Sequence, residues 1–349
     1  MSSVQGEGHW TQVVRKSTLA GVGAIALAGG LAACSSGAGA GSGVGQGEVT
    51  VAYSSPVMAQ EAQQDTVFGL ESAAESLGWK IKVYDANLSA DAQVSNVQTM
   101  IDQDVSALTS WSLDAGAVGG VYSNARSAGI PVIGMNSGGA GISSSTWWAV
   151  NRCDPGGPLE QLAKMFAVAK PGMKIIIMGG PPVPSVEANT ECFTRAAEGA
   201  GLDIIASQSN TQDTTANAAA LAQDLLTAHS DVEAFWAYND ASALGISAAI
   251  AGSGRTVSTG TGGGIMVTGI NGDAAAIDAI RQGRMTATID ANAVANGWVA
   301  VAAMRDAING ETEKTYVVDT DIVDGNNIAD YIAPRERTYS LDHLPLVGR

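Results

Sequence analysis

The sequence predicts an α/β protein built from two doubly wound lobes, and three observations carry that expectation. From Glu48 onward, short β-branched runs alternate with amphipathic, alanine-rich stretches, the pattern of a parallel sheet covered by helices on both faces. The alternation is interrupted over 146–155, at Trp147-Trp148-Ala149-Val150-Asn151, and a second full set of units begins near Gly156. The length of 349 residues exceeds what one hydrophobic core of roughly 250–300 residues usually serves. At 46% hydrophobic and 15% charged, the chain lacks the signature of disorder. A formal charge of −16 repels nucleic acid, so no nucleic-acid partner is expected. Three His and three Cys leave little for metal chemistry, and neither a metal nor a cofactor is expected.

Residues 1–33 carry Arg15 and Lys16, a mildly apolar stretch from Leu19 to Leu31 and then small residues, the three-part layout of an export signal. The stretch is too short and too glycine-rich for a permanent membrane helix, which needs about 20 predominantly apolar residues. Leu31-Ala32-Ala33-Cys34 resembles the lipobox of bacterial lipoproteins. That resemblance implies cleavage before Cys34, lipidation of its thiol and attachment to the outer face of the cytoplasmic membrane; a plain secretory signal with an incidental cysteine is the alternative. Arg15-Lys16 is a weak variant of a twin-arginine signal, and the export route stays open. Residues 34–47 have the Ser, Gly and Ala composition of a flexible spacer. With Cys34 lipidated, Cys153 and Cys192 are an even pair in an oxidising compartment, and a disulfide is preferred over two separately buried thiols.

Strands are expected at 49–54, 80–85, 107–111, 131–135, 174–178, 203–207, 234–238, 265–270, 285–289 and 316–318, with helices between them. In the helix over 217–229, Ala218, Leu221, Ala222 and Leu225 form one apolar stripe, and Thr214 or Thr215 is placed to cap it. Open α/β sheets bind ligands beyond the carboxyl ends of their strands. Those positions read Ser54-Ser55, Asp85, Trp111, Asn136-Ser137, Gly179-Gly180, Asn239-Asp240 and Asn271-Gly272. They are rich in neutral hydrogen-bonding groups and poor in nucleophile–base sets.

Several of these residues belong to a familiar series: Leu77-Gly78-Trp79, Ile130-Pro131-Val132-Ile133, Leu225-Leu226-Thr227-Ala228-His229, Ala237-Tyr238-Asn239-Asp240, Gly269-Ile270-Asn271-Gly272 and Thr286-Ala287-Thr288-Ile289. In this order and spacing, residues 49–323 resemble the periplasmic sugar-binding proteins of the ribose-binding type, the exported receptors of ABC importers. The resemblance implies the type I periplasmic binding protein fold, two Rossmann-like lobes joined by a three-strand hinge near 150–151, 290–292 and 319–322. The lobes would comprise 48–150 with 292–320, and 151–291 with 321–349. It also implies a ligand set. Ser54, with Ser55 beside it, matches the serine ending the first strand, and Asn239 matches the asparagine of the family's Asn-Asp pair. Asn136 and Ser137 stand where the family has aspartate and arginine, Asn271 where it has the aspartate of Gly-Phe-Asp-Gly, Asn189 where it has an arginine, and Trp111 where it has an asparagine. The family's paired aromatics near the first turn have no clear counterpart.

These replacements share a direction, since amides donate and accept to hydroxyls without a buried charge to compensate. A neutral cleft is expected, holding a neutral monosaccharide or alditol and delivering it to an ABC permease, with the protein acting as a monomer and not as an enzyme. Trp111 could stack on the sugar or only form a wall. Of Trp147 and Trp148, one would face the cleft and the other the core. Asn239 and Asn271 could be ligand contacts or turn residues, Asp290 and Asn292 ligand contacts or hinge residues, and Asp240 a helix cap. The glycine run 260–264 reads as a loose connection, and the tail 330–349 as a wrap on the second lobe. A receptor presenting a sugar-like autoinducer to a chemoreceptor or kinase is the main alternative. A repressor would need a basic headpiece where the export signal stands. A hydrolase would need a base near a nucleophile, and His229 and His343 follow no expected cleft strand.

Overall fold

Two six-stranded sheets organise the chain in the computed structural model, which describes residues 48–260 and 263–348. The expected export signal, the spacer up to residue 47 and Cys34 lie outside the described residues. The first sheet is built from β1 (Thr50–Ser55), β2 (Lys80–Asp85), β3 (Ala107–Ser110), β4 (Val132–Met135) and β5 (Ser144–Trp148), interleaved with α1 (Glu61–Ser76), α2 (Ala90–Asp102) and α3 (Ala115–Ser127). A 3-10 turn, Ala149–Asn151, leads to α4 (Pro158–Ala169) and the second set: β6 (Lys174–Gly179), α5 (Pro184–Gly199), β7 (Asp203–Ser209), α6 (Thr215–Ala228), β8 (Ala234–Ala237), α7 (Asp240–Gly252), β9 (Met266–Asn271), α8 (Ala274–Arg281) and β10 (Ala287–Asp290). The chain then returns through α9 (Ala293–Ile308) to β11 (Thr315–Val318) in the first sheet, and crosses again to β12 (Asp321–Asp324) in the second.

The sheets repeat one topology. The orders are β11-β5-β4-β3-β1-β2 and β12-β10-β9-β8-β6-β7. All pairings are parallel except β12, which runs antiparallel to β10. The order reverses at β1/β3 and again at β6/β8, so each lobe has a switch point where the carboxyl ends of its strands open on a crevice. The sequence reading missed β5 and β12. β5 is a five-residue strand of Ser, Thr and Trp that lacks an aliphatic run, and β12 follows β11 after only Asp319 and Thr320.

Local signals account for the helices. Ser89, Asp114, Thr214 and Asn239 each accept a hydrogen bond from an amide in the first turn that follows, so Thr214, not Thr215, caps α6. In the second lobe Phe193 stacks on Trp236 with ring centroids 4.6 Å apart, and Phe166 meets Phe193 edge-on. In the first lobe α1 and α9 cross backbone to backbone at two glycines. A Cβ on Gly69 would stand 2.0 Å from the Val294 carbonyl oxygen, and one on Gly297 would stand 2.3 Å from that of Thr66.

The chain passes between the sheets at 149–157, at 291–292 and at 319–320. Cys153 is bonded to Cys192 of α5, with Cα atoms 5.7 Å apart, which fastens the first passage to the second lobe. The tail corrects the expectation that 330–349 wraps on the second lobe. Tyr331 still reaches the Gly272 carbonyl, but Arg335 pairs with Asp65 of α1 at 2.6 Å. Arg337 then pairs with Asp290, and the Tyr339 hydroxyl donates to Asn292 at 2.8 Å. Beyond that, Asp319 and Val347 donate backbone bonds to Pro345 and Val317, which adds the tail to the edge of β11. The tail therefore runs over two of the passages and ends on the first lobe.

Gly297→Ala should force α1 from α9 and cost roughly 1–3 kcal/mol in urea unfolding. Gly120→Ala, on α3 with open space around it, should be neutral or slightly stabilising. Equal effects of the two would contradict the close crossing.

Candidate functional site

The two switch points line one cleft. From the first lobe come Pro56, Val57 and Gln60 after β1, Trp111 after β3, and Trp148 and Asn151 at the end of β5 and the first passage. From the second come Pro181 and Val183 after β6, Ser185 and Asn189 on α5, Asp213 before α6, Tyr238 and Asn239 after β8, and Asn271 at the end of β9. Hydrogen bonds cross between the lobes: Trp111 Nε1 donates to Ser185 Oγ at 2.9 Å, Gln60 Nε2 donates to Asp213 Oδ2 at 2.8 Å, and beside the cleft the Ala274 amide donates to Glu61 at 3.0 Å. The Asn189 amide donates to Asn151 Oδ1 at 2.7 Å, tying α5 to the passage between the sheets. Trp111 and Trp148 meet edge to face, with centroids 4.9 Å apart, and make an aromatic wall.

Of the residues singled out in the sequence, Trp111, Asn189, Asn239 and Asn271 line this cleft together. Trp148 lines it too, while Trp147 is half-buried, donates to Ser145 and lies under the Arg152 guanidinium, so it faces neither cleft nor core. Asn239 is committed at both ends of its amide: Oδ1 caps α7 and Nδ2 donates to Asp213 at 2.9 Å. Asn271 sits at φ 132°, in the region that favours glycine.

The other six do not line the cleft. Ser54 and Ser55 are buried at the end of β1, each with an unpartnered hydroxyl. Asn136, at φ 45°, accepts from the Trp148 amide at 2.7 Å, and Ser137 accepts from the Ser112 amide while donating to the Met135 carbonyl. Both fasten the turn after β4. Asp290 is held by Arg337 and by the Asn292 amide, and Asn292 by Tyr339, which makes them residues of the hinge passage. Burial keeps the Asp290 carboxyl above the usual range even with the guanidinium beside it.

The expectation of a cleft without charge is corrected by Asp213. Its carboxylate lies in the lining, accepting from Tyr238 Oη, Asn239 Nδ2 and Gln60 Nε2. Burial raises its pKa above the usual carboxylate range, and those three donors oppose the rise. Burial and the facing carboxylate also push the Tyr238 hydroxyl up, so it stays protonated as a donor. Asp213, Gln60, Tyr238, Asn151 and Ser185 all escaped the sequence reading. The position after β7 carried a findable signal, because the strand-end rule applies to β7 as to its neighbours. Gln60 and Ser185 lie on the loop and helix that follow β1 and β6, and only the folded backbone aims them inward.

Asp240 is also corrected. The cap of α7 is Asn239, whereas the Asp240 carboxylate accepts from the Gly272 and Asp273 amides at 2.9 Å and from Thr288 Oγ1 at 2.6 Å, holding the turn between β9 and α8. That turn presents Asn271. Burial pushes the Asp240 carboxyl up to about 7 from 3.8, against those donors, and Asp273 beside it is raised as well. Among the described residues no group of three or more His, Cys, Asp or Glu is placed to hold a metal. His229 ends α6 and His343 is an exposed tail residue, and neither lines the cleft.

A cleft formed by paired switch points and lined by amides, indoles and hydroxyls defines a two-lobed binder of small polar solutes. The chain belongs to the periplasmic binding protein domain family, whose pattern matches residues 51–312. It is of the ribose-binding type. The ribose import binding protein RbsB of Bacillus subtilis is 26% identical over 245 residues, covering 70% of this chain and 76% of that protein. The xylitol-binding protein of Mycolicibacterium smegmatis is 25% identical over 341 residues, 93% of this chain and 91% of the relative. A solved ABC transporter solute-binding protein of Actinobacillus succinogenes 130z with bound D-allose superposes with a TM-score of 0.72 at 26% identity, covering 81% of this chain and all of that one. Members of this family are solute-binding components of transport, not enzymes.

A carboxyl whose pKa is higher folded than unfolded contributes stability that is complete below the unfolded value, 3.8 for Asp240, and is lost as pH rises through the folded value of about 7. The melting temperature should therefore fall between pH 5 and pH 8, and Asp240→Asn should flatten that slope. A wild-type profile that rises over this range would contradict the assignment.

Proposed function

We propose that the protein is the extracytoplasmic solute-binding component of an ABC importer, that it closes its lobes around a neutral sugar or sugar alcohol, and that it passes this ligand to a membrane permease. One observation carries the ligand class. Trp148 Nε1 and Asn189 Oδ1 are a buried donor and a buried acceptor, both in the cleft lining and both without a protein partner. A hydroxyl donates and accepts at once and so pairs with either, whereas each group left unpaired costs about 1–3 kcal/mol. The Trp111 and Trp148 wall offers an apolar surface for the ring or chain carbons. The names of the relatives, which bind ribose, xylitol and allose, support the same chemistry. An amino acid would need a charged clamp for its carboxylate, and among the described residues the lining contains no Arg or Lys.

Closure is favoured by the difference in ligand affinity between closed and open forms. The contacts that supply it are drawn from both lobes across the three passages, which act as the hinge. The lobes on this reading are 48–150 with 292–320, and 151–291 with 321–329, the remaining tail being a strap. Export depends on residues 1–33, and a lipid on Cys34 with the spacer to residue 47 tethers a monomeric receptor outside the cytoplasmic membrane. Among the described residues no helix is long and apolar enough to cross a membrane.

In a thermal-shift screen, at least one neutral pentose, hexose or alditol should raise the melting temperature, a ligand at 100 times its Kd adding about 2.7 kcal/mol of stability. Trp148→Phe, which keeps an aromatic ring and deletes the donor, should weaken that ligand about tenfold. Shifts by charged amino acids and by no polyol would reject the reading. Cys34→Ala should move the protein from the membrane fraction to the soluble fraction of producing cells, and unchanged fractionation would reject the anchor.

A further inference from the structure

Asp213 is the one acid, and no base accompanies it, among the described residues lining the cleft. Its backbone is held at φ 54°, a conformation that non-glycine residues adopt sparingly. Three side chains converge to keep the carboxylate there: Tyr238 and Asn239 donate to Oδ1, and Gln60, from the opposite lobe, donates to Oδ2 at 2.8 Å. An ionised carboxylate offers about four lone-pair sites, so three donors leave one, on the Oδ2 side. Tyr238 spends its single hydroxyl proton on this group.

Resting on the polyol reading, we propose that Asp213 is the specificity-determining residue for ligand charge: its remaining lone pair accepts a hydroxyl of a neutral polyhydroxy ligand, and its charge excludes ligands that carry a carboxylate or phosphate. A hydroxyl bonded to an ionised acceptor is worth more than one bonded to an amide. An anionic ligand in the same place meets a like charge with no guanidinium or ammonium in the lining to offset it. The selection thus has an attractive and a repulsive arm in one side chain.

The test is isothermal titration of the wild type, Asp213→Asn and Asp213→Ser with two matched pairs of probes: xylitol against D-xylonate, and D-glucose against D-glucuronate. The wild type is expected to prefer the neutral member of a pair by 100-fold or more. Asp213→Asn should weaken the neutral probe at least tenfold and shrink the neutral-to-acid ratio at least tenfold. Asp213→Ser gives the same ratio test if the asparagine disturbs the Gln60 and Tyr238 bonds, and melting curves establish that each variant is folded. Folded variants that keep the wild-type ratio overturn the role of Asp213 while leaving the polyol reading intact. A wild type that binds neither neutral probe, nor any polyol of the thermal screen, overturns the polyol reading itself and the proposal with it.

Discussion

Everything at the cleft depends on where the strand order reverses. A parallel sheet must send each connection over one face or the other, and where the direction of winding changes, between β1 and β3 and between β6 and β8, no helix covers the strand ends. The protein repeats this once in each lobe and brings the two gaps to one site. Pro56 and Trp111 flank the first reversal and Tyr238 and Pro181 the second, and all four line the same space. Strands packed between helices give this site rigid walls, so the side chains at their uncovered ends are held in place before a ligand arrives.

The walls could still separate, and the passages decide how. Three segments link the lobes, and the tail lies over two of them. The pair between Arg337 and Asp290 is the strongest example of its role, because Asp290 is only 2% exposed and ends the last strand before the second passage. Without the guanidinium a buried carboxylate would stand almost unpaired, a cost of about 3 kcal/mol. The disulfide between Cys153 and Cys192 fixes the first passage to α5, the helix that presents Ser185 and Asn189. Asn151 of the first passage itself lines the cleft and accepts from Asn189, so the passage and the cleft wall share a residue, the basis on which the proposed reading couples occupancy to lobe movement.

Much of the fold was legible because it rests on local signals. Ten strands announced themselves by β-branched runs, and Thr214 stood where a cap is needed, whereas the cap of α7 fell one residue before the Asp240 that the sequence suggested. β5 did not, since Ser144–Trp148 is stabilised by its neighbours β4 and β11 and not by its own composition. The site was legible in part for the same reason. Trp111, Asn239 and Asn271 follow their strands directly, so strand prediction delivered them. Asn136 and Ser137 also follow a strand, yet the backbone at φ 45° turns Asn136 onto the Trp148 amide, a long-range bond that spacing does not encode. Asp213 lay beyond an edge strand, and its place in the cleft comes from the α6 cap region folding back against Tyr238. The tail was the least legible segment, because its course is set by single ion pairs and edge bonds to distant residues and by no periodicity.

The central claim is that a polyhydroxy ligand occupies the space between the paired reversals. The most direct measurement is a crystal structure with the tightest-binding neutral sugar or alditol. The account predicts ligand density between the Trp111–Trp148 wall and Asn239–Asn271, with hydroxyls on Trp148 Nε1 and Asn189 Oδ1. Density instead in the surface hollow beside the disulfide, near Glu160, Lys164 and Arg195, with the indole and amide still unpaired, would contradict it.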